Sequence, residues 1–209
     1  VLDGRYCRLE PLDPARHGDE LYRASTPSDA AARFLYLPVG AHATRADFDQ
    51  WIASRSTSAD PMYFAVIDKR SGRVEGRQSL MRIDPANQCI EIGDIYWGPA
   101  ISQSQVTTEA NFLFARYAFD ALGYRRFEWK CNALNMPSRR AAERFGFTYE
   151  GLFRRATIVR GRSRDTTWFS MIGDEWPRLK SAYERWLDPS NFDAEGRQRQ
   201  KLGDLTRAR

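Results

Sequence analysis

The sequence predicts a mixed α/β (α+β) fold with a mainly antiparallel sheet, and the changes of its hydrophobic pattern are the reason. Apolar residues recur at helical spacing in the first sixty positions and then alternate with polar residues along three consecutive runs, which short polar turns separate. Helical spacing returns after Gly98-Pro99, and strands and helices alternate from there. This order is typical of one sheet with helices packed against it.

The first half of the chain supplies one strand, two helices and three meander strands. Arg5 to Leu12 alternates polar and apolar side chains and reaches a proline, as a short strand does. A helical stretch follows at about Ala15 to Ala24. Thr44 to Ser54 predicts a second helix, because the threonine can cap the first turn and an apolar stripe follows it. The meander strands are Met62 to Ile67, Arg73 to Ile83 and Cys89 to Trp97.

The second half alternates helices with strands. We expect a helix at about Thr108 to Leu122, with Thr107 or Thr108 as its cap. Phe127 to Cys131 alternates as a strand does, and a short helix follows, opened by Pro137 and ended by Gly146. The last elements are a hairpin and a helix: Phe147 to Arg160, Asp165 to Ile172, and Pro177 to the residue before Pro189.

A chain of 209 residues can bury one substantial core, so we expect a single domain over residues 1–188. The segment from Pro189 to Arg209 is polar, and it carries five basic against three acidic residues. Few apolar residues occur in this segment to anchor it. We therefore expect a basic C-terminal tail that is partly disordered.

Composition argues against several classes of protein. No apolar stretch is long enough to cross a membrane, and Val1 to Leu12 lacks the pattern of a secretory signal, so we expect a cytoplasmic protein. Three distant cysteines and two histidines favour reduced thiols and no metal site. The net charge is +5, but the basic residues are interspersed with 27 acidic ones, which argues against sequence-specific nucleic-acid binding.

Two strand-to-helix junctions are candidates for a binding site. The strand that ends at Trp97 leads through Ser102 to Thr107 into a helix, whose first amides and positive dipole end suit a phosphate. Asn135 and Ser138 lie three residues apart at the start of the short helix, where helix capping is the alternative role. If the strands before the two junctions are parallel neighbours, both helix starts lie at one sheet edge, where ligands bind in open sheets.

Four sequence stretches carry a family resemblance: IEIGDIYW before the first junction, TEA at the helix start, NALNMPSRRAAERFGFTYEG, and RGRSRDTTWFSMIGDEW. Together they resemble the GNAT superfamily of acetyl-CoA-dependent N-acetyltransferases over about Arg5 to Trp176. Within it the chain is most similar to the branch of the ribosomal-protein N-terminal acetyltransferases. The resemblance implies a twisted, mainly antiparallel sheet of about seven strands with a splayed central pair.

The resemblance also implies acetyl-CoA as co-substrate and a set of residues that bind it. The pantetheine arm would pair along the end of the splayed strand, after a bulge at Gly93-Asp94. The pyrophosphate would lie on the loop and first helical turn, and the second junction would face the thioester. The residues so assigned are Ile95, Tyr96, Trp97, Ser102, Gln103, Ser104, Gln105, Val106, Thr107, Thr108, Asn135 and Ser138.

One feature departs from the family pattern. Members usually carry Gln or Arg, and then two glycines or a glycine and an alanine, at the positions that Ser102, Gln105 and Thr107 occupy here. Glycine allows the backbone to approach phosphate closely, whereas Gln105 and Thr107 add β-carbons. The altered loop motivates an alternative function, namely a non-catalytic acyl-CoA-binding or regulatory protein on the same fold.

Acetyl transfer to a primary amine, on a protein N-terminus or a small molecule, needs a neutral amine, a stabilised oxyanion and a protonated thiolate. We predict Glu91 as the base, with Asp94 and Glu150 as alternatives. A backbone N–H near Tyr96 serves the oxyanion and Ser138 the sulfur. Some relatives carry a glutamate where our alignment places Thr157, which cannot act as a base.

Acceptor and partners are less constrained. The Arg-rich hairpin with Phe153 and Trp168 suggests an acidic or aromatic acceptor. The hairpin or the last helix can support a homodimer. Association with nucleic acid through the basic tail is a third and weaker hypothesis.

Overall fold

The computed structural model describes residues 1–208, which form eight strands and seven helices. The strands are β1 (Leu2–Asp3), β2 (Cys7–Pro11), β3 (Met62–Asp68), β4 (Arg73–Asp84), β5 (Cys89–Trp97), β6 (Arg126–Asn132), β7 (Thr148–Val159) and β8 (Arg162–Ile172). The helices are α1 (Pro14–Ser25), α2 (Ala30–Arg33), α3 (Arg45–Ser56), α4 (Gln105–Arg116), α5 (Met136–Phe145), α6 (Trp176–Leu187) and α7 (Leu202–Arg207).

All eight strands join in one sheet, in the order β1-β2-β3-β4-β5-β6-β8-β7. Neighbouring strands are antiparallel except β5 and β6, which are parallel. The mixed, mainly antiparallel sheet is therefore confirmed, as is the parallel pairing on which the combined site depends. The sheet has one strand more than expected, because β1 is only two residues long and leaves no alternating pattern to detect.

Helices cover both faces of the sheet and produce two apolar cores. The larger core lies between the sheet and α4, α5 and α6, and the smaller lies under α1 and α3. Side chains alternate along β5 and β6, so Ile92 and Trp129 enter the larger core. Glu91 and Lys130 therefore point to the other face, where α1 and α3 cover β3 and β4 and leave β6 and β8 open.

The central strands β5 and β6 separate halfway along their length. Their pairing runs from Cys89 opposite Arg126 to Ile92 opposite Trp129 and stops there, although both strands continue. β5 stays paired with β4 through a bulge, which adds one residue to β5 between Gly93 and Tyr96. Asp94 has a φ of 43°, in the left-handed region. The bulge thus lies at the predicted Gly93-Asp94 position, and a gap opens beyond it.

Both helices at the predicted junctions start on identifiable caps, and α5 also ends on one. α4 starts earlier than expected, because the cap is Ser104 and not a threonine: its Oγ accepts from the N–H of Val106 at 3.2 Å. Asn135 caps α5 by accepting from the N–H of Ser138 at 3.2 Å. Gly146 ends α5 as predicted, with a φ of 92° that glycine adopts readily.

The prediction of a partly disordered tail is wrong for residues 189–208. Leu202 is fully buried, and α7 packs against α5 and α6. Asn191 fixes the segment that precedes α7, because its side-chain amide donates to the carbonyls of Trp186 and Gln200. Composition alone missed this, since one well-placed leucine and one buried asparagine anchor an otherwise polar segment.

No helix among residues 1–208 combines the length and the apolar run needed to cross a membrane. In the same residues, no group of three or more His, Cys, Asp or Glu side chains is arranged to hold a metal ion. Cys7 and Cys131 are buried free thiols, and Cys89 is a partly exposed one.

Candidate active site

A cleft of about 1590 Å³ occupies the gap between β5 and β6. Its walls also include the starts of α4 and α5, the segment after α2, the β7–β8 hairpin and part of the C-terminal segment. The structure brings nearly all the predicted site residues together in this cleft: Glu91, Ile95, Tyr96, Trp97, Ser102, Gln103, Ser104, Gln105, Thr107, Asn135 and Ser138.

Two predicted residues, Val106 and Thr108, do not line the cleft. The Val106 side chain belongs to the larger core, and its amide is bonded to the Ser104 cap. Thr108 is fully buried, and its N–H and hydroxyl both donate to the Ser104 carbonyl, at 3.3 and 3.1 Å. Both amides are therefore used inside the first turn of α4.

The remaining amides of that turn can still bind a ligand. Among residues 1–208, the N–H groups of Gln105 and Thr107 donate to no protein carbonyl or side chain. At a helix start such amides point along the axis, where the positive dipole end also attracts anions. This half of the cleft is therefore suited to a phosphate group.

The two positions at which family members carry small residues lie within the first turn of α4 here. Gln105 and Thr107 lie in the first turn of α4, where a helical backbone does not require glycine. The left-handed residue of the loop is Gln103, with a φ of 59°. The departure from the family pattern thus concerns side-chain bulk and leaves the amides in place.

Arg144 adds a positive charge beside the start of α4, which the sequence analysis missed. Its Nη1 donates to Thr108 Oγ1 at 3.1 Å, and its guanidinium lies 4.9 Å from the centroid of the Trp186 ring. It has no acidic partner within residues 1–208, and burial lowers its pKa. Helical spacing could have predicted that Arg144 faces the cleft, because Pro137, Ala141 and Arg144 lie on one face of α5.

Ser138 keeps a free hydroxyl hydrogen at the cleft. Trp129 Nε1 donates to Ser138 Oγ at 3.0 Å, so the hydroxyl oxygen is fixed while its hydrogen has no protein acceptor among the described residues. The capping role left open for Asn135 is the one observed. Capping by Asn135 positions Ser138 at the mouth of the helix.

The end of β5 offers backbone and not side-chain chemistry. The N–H of Gly98 donates to the Glu75 carbonyl at 2.8 Å on the β4 side, so the N–H of Trp97 points to the gap. The Tyr96 phenol turns away and donates to the Ala24 carbonyl at 2.6 Å. Burial raises the pKa of Tyr96 to about 12, so the phenol stays protonated and keeps this bond to Ala24.

Glu91 is a buried carboxylate with one engaged and one available oxygen. Its Oε2 accepts from Lys130 Nζ at 2.9 Å and lies 3.2 Å from Arg82 Nε. Its Oε1 accepts no hydrogen bond from residues 1–208. Burial raises the pKa of Glu91 in spite of the two cations. A carboxylate with a raised pKa is suited to take a proton near neutral pH.

The two alternative bases are engaged elsewhere. Asp94 is ion-paired with Arg77, with 2.9 Å between Oδ1 and Nη1, and accepts from the Tyr63 hydroxyl at 2.6 Å. Glu150 bonds Arg126 on β6 and Ser170 on β8, and it does not line the cleft. Glu91 is therefore the carboxylate candidate that the geometry favours.

The second half of the cleft lies on the open sheet face and has an aromatic floor. Lys130 Nζ lies 3.7 Å from the centroid of the Trp168 ring and also bonds Glu128 at 2.6 Å. Phe153 stacks on Trp168 with 4.5 Å between ring centroids. At the hairpin tip, Arg160 Nη2 donates to the carbonyl of Leu35 just after α2, so the hairpin closes over this half.

Comparison with known proteins relates the chain to acetyltransferases. Residues 7–148 match the model of the acetyltransferase (GNAT) domain. A Bacillus subtilis protein that carries the provisional name ribosomal N-acetyltransferase YdaF is 32% identical over 106 residues. That match covers 50% of this chain and 57% of the relative, so the chain spans little more than half of its length.

Solved structures agree over most of the chain. A GCN5-related N-acetyltransferase from Brucella melitensis is 58% identical, with a TM-score of 0.97 over 98% of this chain and 93% of that one. The microcin C7 self-immunity acetyltransferase MccE, solved with acetyl-CoA and AMP, is 22% identical with a TM-score of 0.70. It matches 81% of this chain and 93% of its own, which shows the shared fold.

Proposed function

Because the chain belongs to the GNAT acetyltransferase family, we propose that it transfers an acetyl group from acetyl-CoA to a primary amine on a protein N-terminus or a small molecule. Both substrates would be bound at once, in a ternary complex. The observation that carries the proposal is the cleft through the splayed strands. Free helix amides lie in one half, Glu91 lies in the other, and Ser138 also lines the cleft.

The cofactor half fits acetyl-CoA in its chemistry. The N–H of Trp97 suits the amide groups of the pantetheine arm, as an added strand would use them. The free amides of Gln105 and Thr107 suit the pyrophosphate, and Arg144 adds a charge for it. Acetyl-CoA supplies the thioester that is cleaved.

Proton movement in the reaction follows from two side chains. The amine nitrogen forms a bond to the acetyl carbon and loses one proton, which Glu91 Oε1 accepts directly or through a water. As the carbon–sulfur bond breaks, the Ser138 hydroxyl hydrogen-bonds to the departing thiolate, which takes one proton from solvent, and Glu91 returns the proton of the amine to solvent. A backbone N–H of β5 near Tyr96 would stabilise the negative charge on the acetyl oxygen.

Binding and turnover are tested on the same preparation. Calorimetry with acetyl-CoA gives the affinity, and thiol release with a panel of amino acids, peptides and polyamines gives the activity. We expect micromolar binding, amine-dependent thiol release, and a loss of about 100-fold or more in kcat for Glu91→Gln with binding unchanged. Glu143→Gln, an exposed change on α5, is the matched control.

Two results would count against the proposal. Tight binding of acetyl-CoA with no amine-dependent release across the panel favours the non-catalytic acyl-CoA-binding protein. No binding at millimolar acetyl-CoA means that the bulk of Gln105 and Thr107 has closed the phosphate site.

A further inference from the structure

Arg164 lines the second half of the cleft, the one with the aromatic floor, and has no anionic partner there among the described residues. This half is called the acceptor half below. Arg164 lies on β8, is half-buried, and forms no ion pair or side-chain hydrogen bond within residues 1–208. Its Nε is buried and unbonded, and burial lowers its pKa. A guanidinium N–H that has lost water without gaining an acceptor is destabilising, unless a ligand supplies the acceptor.

None of the neighbouring carboxylates in the described part of the chain forms an ion pair with Arg164. Glu91 is engaged by Lys130 and Arg82. Directly across the hairpin from Arg164 is Thr157, which carries no charge. Asp165, next along β8, accepts instead from the backbone N–H of Arg155 at 2.7 Å. The positive charge of Arg164 is therefore unmatched on the cleft wall.

The same geometry argues against an aromatic acceptor on the floor of this half. β8 lies between β6 and β7, so Lys130 and Phe153 approach the Trp168 ring from opposite sides. Both faces of the indole are occupied within the protein. An incoming ring has no free face of Trp168 on which to stack, which favours the acidic one of the two expected acceptor types.

We propose that Arg164 binds a carboxylate of the acceptor, so that the preferred substrates are amines that also carry an acid group. The inference rests on the proposed function, since it assigns a substrate class to the same cleft. A guanidinium binds a carboxylate through two parallel hydrogen bonds, which fixes its orientation as well as its charge. Arg164 and Glu91 line the same cleft, which places the amine and the acid on one small molecule or one peptide end.

The test compares amines that differ only in the acid group. Each amino acid of a panel, with aspartate and glutamate included, is assayed beside its α-carboxamide, and each acidic side chain beside its amide. For the wild-type protein we expect kcat/KM to be about 10- to 100-fold higher with the acid than with the matched amide, the range of a charge-assisted hydrogen-bond pair.

Two variants remove the charge by different routes. Arg164→Gln deletes it, and Thr157→Glu neutralises it from the opposite strand, where the two Cβ atoms of a directly paired position lie about 5 Å apart. We expect each to bring the acid-to-amide ratio to within about threefold of unity. Ser163→Glu, which adds the same charge at an exposed position of the hairpin, should keep the wild-type ratio.

A binding measurement separates this inference from the proposed function. Calorimetry of the CoA-bound protein with N-acetyl amino acids and their carboxamides reports carboxylate recognition without turnover. Discrimination by the wild type that is lost in Arg164→Gln supports the inference even if no amine is acetylated. Turnover of acids and amides at equal rates, or a ratio unchanged in both variants, overturns it and leaves acetyl transfer standing.

Discussion

At the residue scale, the proposed base Glu91 is also part of an ion pair, and its pH dependence follows from the charges around it. Burial raises its pKa, the cations of Lys130 and Arg82 lower it, and Glu128 raises it. A general base acts only when deprotonated, so kcat should fall as the pH drops through this raised pKa. Arg82→Gln removes one cation, and we expect the acidic limb of the kcat profile to move to higher pH. A limb that stays in place would assign the base to another group.

Ser138 makes a second prediction at this scale. Ser138→Ala should lower kcat about tenfold and leave the Kd for acetyl-CoA within about threefold, because it removes one hydrogen bond to the departing sulfur. It also leaves the buried Trp129 Nε1 without an acceptor, so rates are compared well below Tm. Trp129→Phe keeps the Ser138 hydroxyl and should retain near wild-type kcat. An equal loss in both variants would indicate that packing, not the hydroxyl, matters.

At the scale of elements, α4 is tied to the N-terminal strands by one carboxylate. Glu109 accepts from the backbone N–H groups of Arg5, Tyr6 and Cys7, at 2.8, 2.6 and 2.7 Å. Glutamine offers one acceptor oxygen and an NH₂ group that cannot accept from these donors. We expect Glu109→Gln to cost about 2 to 4 kcal/mol, a fall in Tm on the order of 10 °C. Thermal unfolding checks this against Glu143→Gln, and matching Tm values would refute it.

Sequence patterns predicted the elements with long periodic segments and missed those fixed by tertiary contacts. The strands on either side of the gap are found by alternation, and the bulge at Asp94 falls where expected. α2 is four residues long, and a side-chain pair between Asp29 and Arg33 supports it, so no period marks it. In the candidate site, the free helix amides could be predicted, because a strand that leads into a helix leaves the first amides of the helix unpaired. Alternation shows that Lys130 faces away from the core but not that it faces a cleft.

At the scale of the whole molecule, the C-terminal segment completes the cleft instead of hanging free. Leu202 anchors the segment, and Phe192, Gln198 and Lys201 line the cofactor half. Leu202→Ala should therefore cost about 2 to 5 kcal/mol and weaken acetyl-CoA binding as well. Calorimetry and thermal unfolding of the one variant give both values. A stability loss with unchanged affinity would reduce the segment to a structural support.

The charge that this segment brings to the cleft can be separated from its packing. Lys201 and Arg199 are both exposed and two residues apart, but of the two only Lys201 lines the cofactor half of the cleft. Lys201→Ala should leave Tm nearly unchanged and weaken acetyl-CoA binding about threefold at low salt, with a smaller effect at high salt because the contact is screened. Arg199→Ala removes the same charge outside the cleft and should bind normally. If both variants lose affinity equally, the effect is that of net charge at long range. If only Lys201→Ala loses it, the basic segment that resembles a nucleic-acid tail in the sequence binds the phosphates of the cofactor.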